Sequence, residues 1–127
     1  MRRGVVKVAF VGVAAAVCAV TLSAQIKRTV LQQVDTSIPG REVVTARADF
    51  PAGGSTGLHT HPGDEISFVA DGAVEIVMDG SSKVYRKGEA FNVIGGKAHD
   101  ARAVEGPAVV IANYVIKKGK AATTPVK

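Results

Sequence analysis

The sequence has no tryptophan, only two tyrosines and four phenylalanines. That scarcity removes the aromatic platforms on which single-stranded nucleic acid stacks. Cysteine is nearly absent too: Cys18 is the only one, and it lies inside an apolar N-terminal run. The chain can therefore form no internal disulfide and is indifferent to an oxidising compartment. It also lacks a hydrophobic run long enough for a comfortable bilayer span, which needs ~20 residues. Positive charge is less abundant than the net +5 suggests, because Arg2, Arg3 and Lys7 contribute three of those charges and the rest of the chain carries +2. The remaining Lys and Arg read as a solvated face, so a nucleic-acid partner is not expected.

The N-terminal segment has the layout of an export signal. Arg2, Arg3 and Lys7 form a basic start, Val8 to Leu22 is apolar and uncharged, and Leu22-Ser-Ala24 supplies small residues before Gln25. Residues 1–24 are expected to be a signal peptide, which would make the rest periplasmic or secreted and free of the membrane after cleavage. The rival reading is an uncleaved N-terminal membrane anchor. Arg2-Arg3 leaves both general and twin-arginine export open.

From Lys27 onward no segment has the periodicity of a long helix. Apolar residues alternate or run in short β-branched stretches, and Gly, Asp-Gly or Pro interrupts them every eight to twelve residues. An all-β sandwich or barrel follows. The expected strands are 29–34, 42–49, 65–70, 73–78, 83–86, 90–94, 98–104 and 108–116, with Asp71-Gly72 and Asp79-Gly80 as hairpin turns. The 127 residues, 46% of them apolar, suffice for one domain with one core. That domain is expected over 25–117, followed by a disordered basic tail over 118–127.

What the chain does have is a cluster. Its three histidines are His59, His61 and His99, and Glu65 stands four residues after His61. Imidazole and carboxylate are donors to divalent transition metals, and three or four from separate strands can form one coordination shell. Strand parity puts Glu65, Ser67 and Val69 on one face and His99, Ala101 and Ala103 on another shared face. Asp64, Asp100 and Arg102 should then point away. Val74, Ile76 and Met78 read as a buried face. Of Asn113 and Tyr114 only one can face inward, Thr45 and Arg47 share a face, and Phe68 and Phe91 read as core.

These residues carry a resemblance to small single-domain cupins. The first family motif, G-x5-H-x-H-x3-E-x6-G, fits from Gly53 through His59, His61 and Glu65 to Gly72 without a gap. The second, G-x5-P-x-G-x2-H-x3-N, fits at Gly88, Gly96 and His99, with Ile94 in place of Pro and Ala103 in place of Asn. The resemblance implies a double-stranded β-helix, a jelly-roll barrel, with His59, His61, Glu65 and His99 converging on one divalent transition metal (Mn, Fe, Co, Ni, Cu or Zn). It also implies a homodimer joined at sheet edges, with residues 27–34 as a swapped or edge strand.

Two functions follow. One is a metalloenzyme acting on a small organic molecule, dioxygenase-like or otherwise metal-assisted, with Glu65 as the catalytic base. With every histidine used in the cluster none is left as a separate base, which disfavours the sugar epimerases that resemble this fold. The family's sulfoniopropionate lyases place Tyr near the ligands, where this chain offers Phe68. The other is a periplasmic protein that binds a metal or small ligand without turnover.

Overall fold

The computed structural model describes residues 25–127. The expected signal peptide falls outside the described residues. Ten strands follow in order: β1 (Lys27–Asp35), β2 (Arg41–Phe50), β3 (His59–Thr60), β4 (Gly63–Asp71), β5 (Ala73–Met78), β6 (Ser81–Arg86), β7 (Ala90–Val93), β8 (His99–Ala103), β9 (Ala108–Lys117) and β10 (Thr124–Pro125). They form two five-stranded sheets, ordered β1-β2-β9-β4-β7 and β10-β3-β8-β5-β6. The pairings between named strands are antiparallel. This is the expected all-β jelly roll.

Alternation in the sequence becomes alternation of burial. Val44, Ala46, Ala48 and Phe50 of β2 point into the barrel, as do Val110, Ala112, Tyr114 and Ile116 of β9. Many inward residues are alanine. Small side chains leave space at the barrel centre that three imidazoles and a carboxylate then fill.

Asp79-Gly80 makes the expected hairpin. Asp79 has φ 53° and Gly80 φ 73°, the pair of positive angles a two-residue turn between twisted strands requires. Asp71-Gly72 does not make one. β4 lies in the first sheet and β5 in the second, so the chain crosses between sheets there. The dipeptide signal reports positive φ at Gly72, not which strand comes next.

The tail also departs from expectation. Thr124 and Pro125 pair with Thr60 and His59 as β10, and the Val126 N–H donates to the Leu58 carbonyl at 3.0 Å. Polar, basic composition suggested a segment too poor in apolar residues to order itself. It is held by backbone pairing to a strand that only exists once the barrel has closed. Phe68, expected in the core, is 42% exposed on the outer face of β4, the face its parity with Asp64 and Ile66 dictates.

Candidate metal centre

β3 and β8 pair residue against residue at His59 and His99, whose ring centres lie 4.2 Å apart. His61 follows β3, and its ring centre is 4.8 Å from that of His59 and 5.0 Å from that of His99. The three offer nitrogens that all lie within 4.8 Å of one another. All three side chains are buried. Glu65 enters from the opposite sheet on β4. Its Oε2 is 3.0 Å from His61 Nε2 and 3.3 Å from His99 Nε2, and its Oε1 accepts from the Ser67 hydroxyl at 2.7 Å.

Gly63 lets β4 start where it does. It pairs with Ile116 of β9, and a Cβ there would lie 2.0 Å from the Val115 carbonyl oxygen. Two residues later the same strand presents Glu65 opposite Tyr114.

Each imidazole is tethered through its other nitrogen. Nδ1 of His59 is 2.8 Å from the Gly57 carbonyl, that of His99 is 3.0 Å from the Lys97 carbonyl, and that of His61 is 2.6 Å from the Ala122 carbonyl. A carbonyl oxygen can only accept, so Nδ1 carries a proton in all three rings, and Nε2 offers a lone pair wherever the ring is neutral. Nε2 of His61 and Nε2 of His99 face the Glu65 carboxylate oxygen, and each donates to it when protonated. Acceptors at this range repel unless a cation lies between them, a proton or a metal. Donors set at right angles around an ion with bonds of ~2.1 Å would stand ~3.0 Å apart, close to the two Glu65–imidazole separations. The donor set fits a borderline transition metal, and the tethers to backbone carbonyls are the partners that metal-binding imidazoles use.

The charges around the cluster respond to burial. Burial pushes the Glu65 carboxyl upward, but hydrogen bonds from His61, His99 and Ser67 outweigh it and hold the group far below the usual carboxylate range. Burial lowers His59, whereas at His99 it is overcome by the Glu65 carboxylate and the net shift is upward.

Parity places the neighbours as expected. Ser67 and Val69 are buried beside Glu65, while Asp64 is exposed and Arg102 pairs with Glu75 outside the barrel. Asp64 still serves the site from outside, its carboxylate accepting the Gly95 N–H at 2.8 Å and fastening the bend before His99. Asp100 accepts from Ser55 and Thr56 at 2.8 and 3.0 Å. Thr45 meets Asn113 on the outer face, and Arg47 pairs with Asp49.

Tyr114, not Asn113, faces inward. It is 3% exposed, with its ring centre 4.6 Å from that of His61. Burial, then the nearby Glu65 charge, push its hydroxyl up to about 12 against a smaller opposing effect of Arg28. The aromatic beside the ligands is thus Tyr114 and not Phe68. The alternation Ala108, Val110, Ala112, Tyr114, Ile116 was the signal that could have decided it. Arg28 and Ala122 had no local signal at all, because their proximity to the site exists only in the closed barrel.

The cluster adjoins an inner cavity of about 20 Å³, walled by Phe50, Ile76, Phe91, Val110 and Ala112 and reached by Tyr114 and Arg28.

Comparison with known proteins agrees with this architecture. The profile of the cupin domain matches residues 46–125, and the chain belongs to the cupin family. Among curated proteins none matches it. It is similar in fold to a cupin superfamily protein of Desulfitobacterium hafniense, with TM-score 0.64 and 19% identity over 73% of this chain and 79% of that one. A double-stranded β-helix protein of Klebsiella pneumoniae aligns with TM-score 0.64 and 18% identity over 81% and 85% of the two chains. A DMSP lyase of Ruegeria pomeroyi aligns with TM-score 0.66 and 20% identity over 80% of this chain and 52% of its own.

Proposed function

We propose that His59, His61, Glu65 and His99 hold one divalent transition metal, and that the protein uses it to bind and transform a small organic molecule. The observation that carries this reading is the three Nδ1 tethers, which turn the other nitrogen of each clustered ring toward the site, those of His61 and His99 lying 3.0 and 3.3 Å from the Glu65 carboxylate. A bound metal supplies a Lewis acid that polarises a substrate oxygen. The protein's own groups supply the rest. Glu65 orients through Ser67 and is the candidate base, provided that it is freed from His61 and His99, which now hold it strongly ionised. Tyr114 stays a neutral phenol at ordinary pH and can donate a hydrogen bond. The apolar wall limits water beside the reacting atoms. The inward Tyr114 supplies the tyrosine beside the ligands that the lyase class calls for, and the DMSP lyase of similar fold belongs to that class.

A second reading is storage or binding without turnover. The inner cavity favours it, since about 20 Å³ admits little more than a water-sized group. Export to the periplasm or beyond rests on the residues before Gln25 and belongs to either reading.

Reconstitution with each metal tests the centre. His59→Ala, His61→Ala, His99→Ala and Glu65→Gln should each lose most of the metal that the wild type retains. Full retention by Glu65→Gln would reduce the shell to the three histidines, and full retention by all four would end the proposal.

A further inference from the structure

Two cavities meet at Arg28. The inner one lies beside the histidine cluster, and an open outer depression of about 560 Å³ is walled by Gln25, Ile26, Ser55 and Thr123. Arg28 and Thr56 line both. Arg28 stands opposite Ala48 on β1, and Ala48 is buried, so its side chain leaves the strand on the barrel side. Its guanidinium carbon is 5.7 Å from the centre of the Tyr114 ring, and Nη1 donates to the Thr123 hydroxyl at 2.9 Å.

The partners of Arg28 are therefore a ring face and a neutral hydroxyl. Three other arginines of this barrel have carboxylates, Arg47 with Asp49, Arg86 with Glu105 and Arg102 with Glu75, whereas Arg41 reaches only the Pro62 carbonyl and does not line the inner cavity. Among the described residues none lies within ion-pair distance of Arg28. Guanidinium has five N–H donors in a planar fork that matches a carboxylate. Here that fork stands at the mouth of the cavity with most donors unused.

We propose that Arg28 is the specificity-determining residue of the site, and that the ligand is a short organic acid whose carboxylate docks on the Arg28 fork. The acid's other end reaches into the inner cavity beside Glu65 and Tyr114. The small inner volume, about that of one water-sized group, restricts what enters to a single heavy atom, which suits the 2-hydroxyl or 2-oxo oxygen of a short acid. The placement of the inner end rests on the metal reading above; the carboxylate contact does not.

Glycolate and glycolamide are a matched pair for the test, since they differ only in replacing the carboxylate by a neutral amide. Calorimetric titration of the cobalt-reconstituted protein should show glycolate binding at least about tenfold tighter, the scale of charge-assisted hydrogen bonds. Arg28→Gln should erase the preference while leaving the cobalt content and circular dichroism unchanged, and Arg28→Lys should keep part of it. Arg28 is exposed on an edge strand, so neither substitution disturbs the core. No preference in the wild type, or an unchanged preference in Arg28→Gln, overturns the proposal. If the protein takes up no cobalt, the same titrations on metal-free protein decide: an Arg28-dependent preference keeps the carboxylate site while the metal reading falls.

Discussion

The carbonyl oxygen of Ala122 lies 2.6 Å from Nδ1 of His61. A residue near the C-terminus thus orients a side chain of the central cluster, and β10 pairs with β3 beside it. The tail is part of the site. Deleting residues 121–127 should leave the barrel folded by circular dichroism yet weaken metal binding by about 10–100-fold, the usual effect of losing the partner of a ligating histidine. Unchanged affinity in a competition titration would return the tail to a passive role.

Tyr114 gives a spectroscopic check. Its phenol is pushed up to about 12 in the metal-free protein, against ~10 in solution. Alkaline absorbance titration should resolve a late-ionising tyrosine that disappears in Tyr114→Phe. The sign for stability follows, because the folded chain then holds its proton where the unfolded chain has lost it. Metal-free protein should lose stability as pH rises from the ordinary phenol value toward about 12. A Tyr114→Phe variant with the same alkaline loss would mean that another group is responsible.

Gly63 and the Val115 carbonyl are in contact that no side chain can share. Gly63→Ala must push β4 off β9, at a cost of about 1–3 kcal/mol or more. In a domain this small each kcal/mol lowers Tm by about 4–8 °C. Thermal unfolding should show that drop, and reduced metal retention should accompany it because Glu65 begins two residues on. An unchanged Tm would contradict the registered β4–β9 pairing.

We propose that the homodimer expected from the family resemblance would form at β1. All nine of its residues are exposed, Val30 and Leu31 by 57% and 55%, and it is the edge of its sheet. Leu31→Lys should turn a dimer into a monomer in light scattering, as charges on an edge strand block pairing. A wild type that is monomeric at every concentration would remove the dimer.

Much of this fold was legible in the sequence because period-two alternation is local. β2, β4, β5 and β9 could be placed from it, and so could the inward turn of Glu65 and the outward turn of Asp64 and Arg102. The two short strands β3 and β10 were not legible. Two residues carry no period, and β10 exists only because β3 offers it a backbone edge. Asp71-Gly72 misled for a related reason: it encodes a bend, while the choice between hairpin and crossing is made by distant pairing of β4 with β7 and β9. The four clustered residues were visible from spacing. Their tethers, the carbonyls of Gly57, Lys97 and Ala122, were not, because any residue type supplies a carbonyl. Arg28 was hidden in the same way, as one cation among many until the barrel brought it over Tyr114.

The most direct measurement is elemental analysis of the wild-type protein, purified without chelators and again after reconstitution. Three Nδ1-tethered imidazoles clustered together, two of them against the Glu65 carboxylate, predict about one transition metal ion per chain. A chain that carries no metal in either preparation would contradict it, and the cluster would then be held together by protons alone.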